Sequence, residues 1–140
     1  MSVMRSLFAL MILTAAVNTQ AAIAVIVHLD NYEKINEAQL RNLYLGKMKT
    51  FPSGADVNVL DLTPQNSVRE AFTRQVLRRS ESNLNAYWAR MLFSSQGRPP
   101  PMLNTPQEVL NIVSHDKKAI AYVDLEAVDT NRVRVIMVFE

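Results

Sequence analysis

Val57-Asn58-Val59-Leu60-Asp61-Leu62-Thr63-Pro64-Gln65-Asn66-Ser67-Val68-Arg69-Glu70 carries a short apolar strand, Val57 to Asp61, through a polar turn into the start of a helix at Ser67. Val68, Ala71, Phe72 and Val76 follow at i, i+3, i+4 and i+8, the spacing of one buried helical face, with Arg69, Arg74 and Arg78 off that stripe. A helix that opens just beyond a strand end presents unpaired N–H groups and the positive end of its dipole, which favour a small anion. The candidate ligand contacts are therefore the side chains of Gln65, Asn66 and Ser67 and the N–H groups around Ser67, Val68 and Arg69, with Arg69 or a lysine supplying charge. Ser67 and Glu70 also have the spacing of a capping box, which would use one of those N–H groups for purely structural ends. Both readings stand at this point.

Outward from this junction, helices and strands alternate. Ile23-Ala24-Val25-Ile26-Val27 is a continuous apolar run, expected where a strand is covered on both faces. Asn36 and Gln39 form a capping-box pair at the start of the next helix, with Ile35 and Leu40 as a hydrophobic staple and Gly46 at its end. Ser80 or Ser82 caps a third helix whose Leu84, Tyr87, Trp88, Met91 and Leu92 repeat at helical spacing. A proline-rich loop, Ser94 to Pro101, leads to Thr105-Pro106-Gln107-Glu108, an N-cap followed by proline at N1 and a capping glutamate. Two strands, Ala119 to Val123 and Val133 to Phe139, close the chain around a short helix or turn. This order predicts an α/β domain with a mostly parallel central sheet.

The 140 residues suit one domain, and fifteen basic against thirteen acidic residues leave a net charge of only +2. No cluster of Lys and Arg is interleaved with aromatics, so nucleic acid is excluded as a partner. With no cysteine there is no disulfide framework, no thiolate metal or redox site and no lipid attachment at the leader.

Residues 1–21 read as a signal peptide: Arg5 in a positive n-region, then an apolar stretch from Leu7 to Val17, then small residues at Thr19 and Ala21. Cleavage after Ala21 leaves a domain over 22–140, with Ala22 and Ala24 as alternative sites. An uncleaved anchor is the competing reading, but a spanning helix needs about 20 apolar residues. The expected location is periplasmic, with no stable membrane insertion once the leader is removed.

Catalytic and metal chemistry find little support. There is no Gly-x-Ser-x-Gly elbow, no His-Glu-x-x-His and no Gly-Lys-Ser/Thr phosphate loop. No catalytic residue, metal ligand set or cofactor is therefore assigned. His28 and Asp30 share one side of an extended segment but supply only two ligands. His115 suits a helix C-terminus and Trp88 a core position. Lys47 and Lys49 read as a solvated turn, Arg74, Arg78 and Arg79 as an exposed helix face, and Ser94, Ser95 and Arg98 as loop.

Leu43-Tyr44-Leu45-Gly46-Lys47, the strand with its Ser-led helix, Asn85-Ala86-Tyr87-Trp88 and Ala119-Ile120-Ala121-Tyr122-Val123 occur in an order that resembles the phosphate-type substrate-binding proteins of ABC transporters. The resemblance runs from about Ile23 to Phe139 and extends to short, stand-alone members of that family. It implies a type II periplasmic-binding-protein lobe of three layers, about half of a two-lobed clamshell, that binds phosphate or a similar oxyanion without enzymatic activity. It implies as partners an ABC transporter permease or a membrane sensor. An alternative is a lobe that has lost its ligand and serves as an interaction or sensory module. Family members typically carry an Arg-Ser-Asp-Gly-Ser-Gly-Thr type sequence at the junction; here Asp61 stands at the arginine position, both glycines are absent, and only Ser67 matches in kind.

Overall fold

The computed structural model describes residues 22–140, so the expected leader over 1–21 lies outside the described residues. Strand β1 (Ile23–His28) is the spine of the fold. Its residues Ile23 to Val27 have no solvent exposure, so both faces of the strand are covered, as the unbroken apolar run requires. Helix α1 (Glu37–Tyr44) begins at the expected capping box. Gln39 N–H donates to Asn36 Oδ1 at 2.8 Å, and Asn36 N–H donates to Gln39 Oε1 at 2.9 Å.

The strand expected from Val57 to Asp61 forms in two pieces, β2 (Asn58–Val59) and β3 (Asp61–Leu62). Helices α2 (Ser67–Gln75) and α3 (Glu81–Phe93) follow, then the short β4 (Met102–Leu103), α4 (Pro106–His115), β5 (Ala119–Asp124) and β6 (Val133–Phe139). A 3-10 turn, Leu125–Ala127, joins the last two strands. Ser80 is the cap of α3 and Thr105 that of α4. β4 has no counterpart in the sequence reading, since two residues inside a proline-rich loop carry no periodicity.

The central sheet has the order β2-β5-β1-β6. β1 pairs antiparallel with both β5 and β6, and only the β2–β5 ladder is parallel. The sheet is therefore mixed and mostly antiparallel, which corrects the expectation of a mostly parallel one. Strands β2, β5 and β6 share one direction; the single reversed strand, β1, sits between two of them and so makes two of the three ladders antiparallel. An apolar run reports burial on two faces, and burial is indifferent to strand direction.

Leu60 is where the Val57–Leu62 segment changes partners. Its N–H still donates to Ile120 in β5, whereas β3 immediately beyond pairs in parallel with β4. The segment thus leaves the main sheet just before Asp61 and carries that residue over the packed face of α2. Beneath it lies an aromatic cluster: Phe72 stacks on Tyr122 with ring centres 3.8 Å apart, and Tyr44 meets both rings edge-on.

Candidate functional site

The junction between β3 and α2 is built by a tight turn. Asn66 N–H donates to the Thr63 carbonyl at 3.0 Å, and Asn66, in extended backbone conformation, becomes the N-cap of α2. Its Oδ1 accepts from the Val68 N–H at 3.0 Å, and its carbonyl accepts from the Arg69 N–H at 3.1 Å. The expected Ser67–Glu70 capping box does not form: Ser67 is already the first helical residue, and Glu70 instead faces Arg74 one turn on. The Pro64-Gln65 turn moves the cap one residue earlier, where an asparagine serves as well as a serine.

The five candidate contact residues separate into two groups. Gln65 and Ser67 are exposed and Asn66 is half-buried at the rim. Val68 faces the core, and Arg69, which helical spacing places off the apolar stripe, is 3% exposed. Arg69 Nη1 donates to the Leu62 carbonyl at 2.7 Å and lies 3.3 Å from Asp61 Oδ2, while Nη2 donates to Glu81 Oε1 at 2.8 Å. Its guanidinium is thus buried and held between two carboxylates.

Asp61 is the other centre of this network. It accepts hydrogen bonds from the Leu62 N–H and from the Tyr122 hydroxyl in addition to pairing with Arg69. Burial pushes its carboxyl above the usual aspartate range; Arg69, Tyr122 and the Leu62 N–H pull it back only in part, and Glu81 adds to the rise. The Tyr122 and Tyr44 hydroxyls are pushed well up, chiefly by burial and then by the Asp61 charge. Tyr44 spends its hydroxyl on the Leu60 carbonyl at 2.8 Å. Two polar atoms of this region, Arg69 Nε and Thr73 Oγ1, are buried without a hydrogen-bond partner.

A signal for this network exists in the sequence. Arg69, Phe72, Thr73 and Val76 are themselves spaced i, i+3, i+4 and i+7, so Arg69 shares the buried face with Phe72. An aspartate closing an apolar strand, opposite a helix that carries such an arginine, is a candidate buried pair.

The remaining candidates fall elsewhere. The Asp30 N–H donates to His28 Nδ1 at 3.0 Å and the Asp30 carboxylate faces Lys117 at 3.8 Å, so these two residues are engaged locally. Among the described residues no group of three His, Cys, Asp or Glu side chains is placed to hold a metal. Lys49 joins Ser95 and Arg98, distant from it in sequence, in lining one cleft of about 590 Å³. His115 lies in the last turn of α4, as expected, and Trp88 is buried.

No protein-family model and no curated protein matches the chain. Solved structures do. An ABC-type phosphate transport receptor from Vibrio cholerae superimposes with a TM-score of 0.64 at 16% identity, over 84% of this chain and 46% of that one. A protein assigned as a phosphate ABC transporter substrate-binding protein from Clostridium perfringens, solved with bound phosphate, gives 0.63 at 20% identity, over 83% and 45%. PstS from Borrelia burgdorferi gives 0.59 at 11% identity, over 83% and 47%. The chain shares the fold of the phosphate ABC-transporter binding proteins. It spans just under half the length of those structures. Among the described residues no helix is long and apolar enough to cross a membrane.

Proposed function

We propose that the chain is a periplasmic solute-binding protein of the phosphate ABC transporter type, taking phosphate or a similar small oxyanion at the start of α2 and working without catalysis. The observation that carries this reading is the fold shared with phosphate-transport receptors, over more than four-fifths of the chain. Gln65, just ahead of the cap, and Ser67, the first residue of α2, stand exposed at the end of the helix where its dipole favours negative charge. In this reading the oxyanion is held by the Gln65, Asn66 and Ser67 side chains and by first-turn backbone, including the Val68 and Arg69 N–H groups. Asn66 must yield both the Val68 and the Arg69 N–H when the ligand arrives, and the Arg69 side chain contributes only a charge already balanced by Asp61 and Glu81. Binding is therefore weak, and delivery to a permease or to a membrane sensor follows from the same lobe.

The buried Arg69 favours a second reading, an interaction or sensory module that keeps the lobe and has lost the ligand. The two are separated by a thermal-shift panel of phosphate, sulfate and arsenate beside a pull-down from envelope extract. Oxyanion-dependent stabilisation that is lost in Ser67→Ala supports the solute-binding reading. A specific envelope partner with no oxyanion effect supports the module.

A further inference from the structure

The far end of α2 carries a second basic feature, distinct from the rim at Gln65 to Ser67. Helix α2 ends at Gln75 and α3 starts at Glu81, and the turn between them folds around a cleft of about 570 Å³. Arg74, Arg78 and Arg79 line it, together with Thr73 and the carboxylates Glu70 and Glu81. It reaches from Glu70, three residues into α2, past the end of that helix, and none of Gln65, Asn66 and Ser67 lines it.

Three observations mark this cleft as a place for anions. First, its cations are weakly committed. Arg74 faces Glu70 at 3.4 Å and Arg78 faces Glu37 at 3.6 Å, both pairs largely in solvent, where such contacts contribute little. Arg79 makes no ion pair among the described residues; its guanidinium lies over the Tyr87 ring at 4.6 Å. Second, three arginines face only two carboxylates on the lining, Glu70 and Glu81, and Glu81 is held by the buried Arg69 at 2.8 Å. Third, Thr73 lines the cleft at 2% exposure, and its hydroxyl is one of the two buried polar side-chain atoms without a partner. An unmatched buried hydroxyl is costly and uncommon, and a ligand oxygen beside it would supply the missing partner. The thirteen-residue α3 opens on the same cleft and adds its dipole.

We propose that this cleft binds a polyvalent phosphate-bearing molecule, its oxygens shared among Arg74, Arg78 and Arg79. A single tetrahedral oxyanion would occupy only a small part of the cleft, whereas three guanidiniums suit adjacent phosphoryl groups, each able to take a bidentate contact. A free polyphosphate chain and a lipid headgroup bearing adjacent phosphates present the same chemistry. The site is independent of the α2 start and does not rest on the solute-binding reading.

The chain carries its own reporter. Arg79 lies over Tyr87, and Tyr87 meets the single tryptophan, Trp88, edge-on at 5.0 Å, so moving Arg79 onto a ligand alters Trp88 fluorescence. The full chain is titrated with tripolyphosphate, and separately with vesicles containing phosphatidylinositol 4,5-bisphosphate, at constant ionic strength. Saturable binding to either is expected, weakened about tenfold or more in the double variant Arg78→Ala/Arg79→Ala and unchanged in Ser67→Ala. Thr73→Val, which keeps side-chain shape, weakens binding about threefold or more without lowering the melting temperature. The proposal is overturned if neither titrant binds, if the arginine double variant binds as tightly as the parent, or if polyglutamate binds while both phosphate titrants do not. The last result would point to an acidic protein partner.

Discussion

Arg69 and Asp61 lie 3.3 Å apart with side chains 3% and 7% exposed, joined across the β3–α2 junction at the position where an anion-holding cation was expected. The arginine is spent inside the protein. A buried pair of this kind gains attraction in a low-dielectric setting but loses the hydration of both ions, so its net worth is small while the cost of removing one partner is large.

Arg69→Met should therefore destabilise the fold by about 3–5 kcal/mol, because it leaves the Asp61 carboxylate buried without its cation. Asp61→Asn combined with Arg69→Met should cost clearly less than the two single changes added together. Urea unfolding of the four proteins in the cycle measures this. Additive losses would mean the two side chains do not act as a pair.

The raised Asp61 carboxyl carries a pH signature. Its folded-state pKa lies above the unfolded value of about 4, so its contribution to stability is fully present below that value. It is lost as pH rises through the folded-state pKa. Relative to Asp61→Asn, the parent should lose stability on going from pH 4 toward neutrality, by at most about 1.4 kcal/mol per pH unit. Parallel pH profiles for the two proteins would contradict the assignment. Tyr44 and Tyr122 have the same sign at alkaline pH: both are raised, so the stability they contribute holds below about 10 and is lost as pH rises further.

Asn66, rather than Ser67, caps α2. Asn66→Ala should cost about 1 kcal/mol, whereas Ser67→Ala should stay within about 0.5 kcal/mol. Thermal melts of the two variants decide between the residues, and a larger loss from Ser67→Ala would restore the capping box that the sequence suggests.

Gly46 ends α1 at φ +69°, in the left-handed region, and a Cβ placed there would meet Trp88 Cη2 at 3.4 Å. Gly46→Ala should destabilise by about 1 kcal/mol or more through backbone strain, with a change in Trp88 fluorescence reporting the contact. An Ala variant as stable as the parent would show that the turn relaxes.

Most of the scaffold was legible in the residues because the relevant physics is local. Asn36 with Gln39 and Thr105 ahead of Pro106 mark helix starts within one turn of chain, and the unbroken Ile23–Val27 run reports a strand covered on both faces. Sheet direction was not legible, since reversing β1 between β5 and β6 leaves every apolar position buried. The site was half legible. The helix starts at Ser67 as the sequence predicts, but a stripe drawn from Val68 leaves Arg69 off it, whereas the spacing of Arg69 to Phe72 and Val76 points inward. The pairing of Arg69 with Asp61 and Glu81 depends on a strand leaving the main sheet at Leu60, a tertiary event with no local signature.

The central claim, oxyanion recognition at the start of α2, is tested most directly by isothermal titration of the folded chain with inorganic phosphate, beside Ser67→Ala and Arg78→Ala/Arg79→Ala. Saturable heat with a Kd of about 0.1–1 mM, abolished by Ser67→Ala and retained in the arginine double variant, is the predicted result. Absence of heat at millimolar phosphate with the protein folded, or heat that survives Ser67→Ala unchanged, would contradict it.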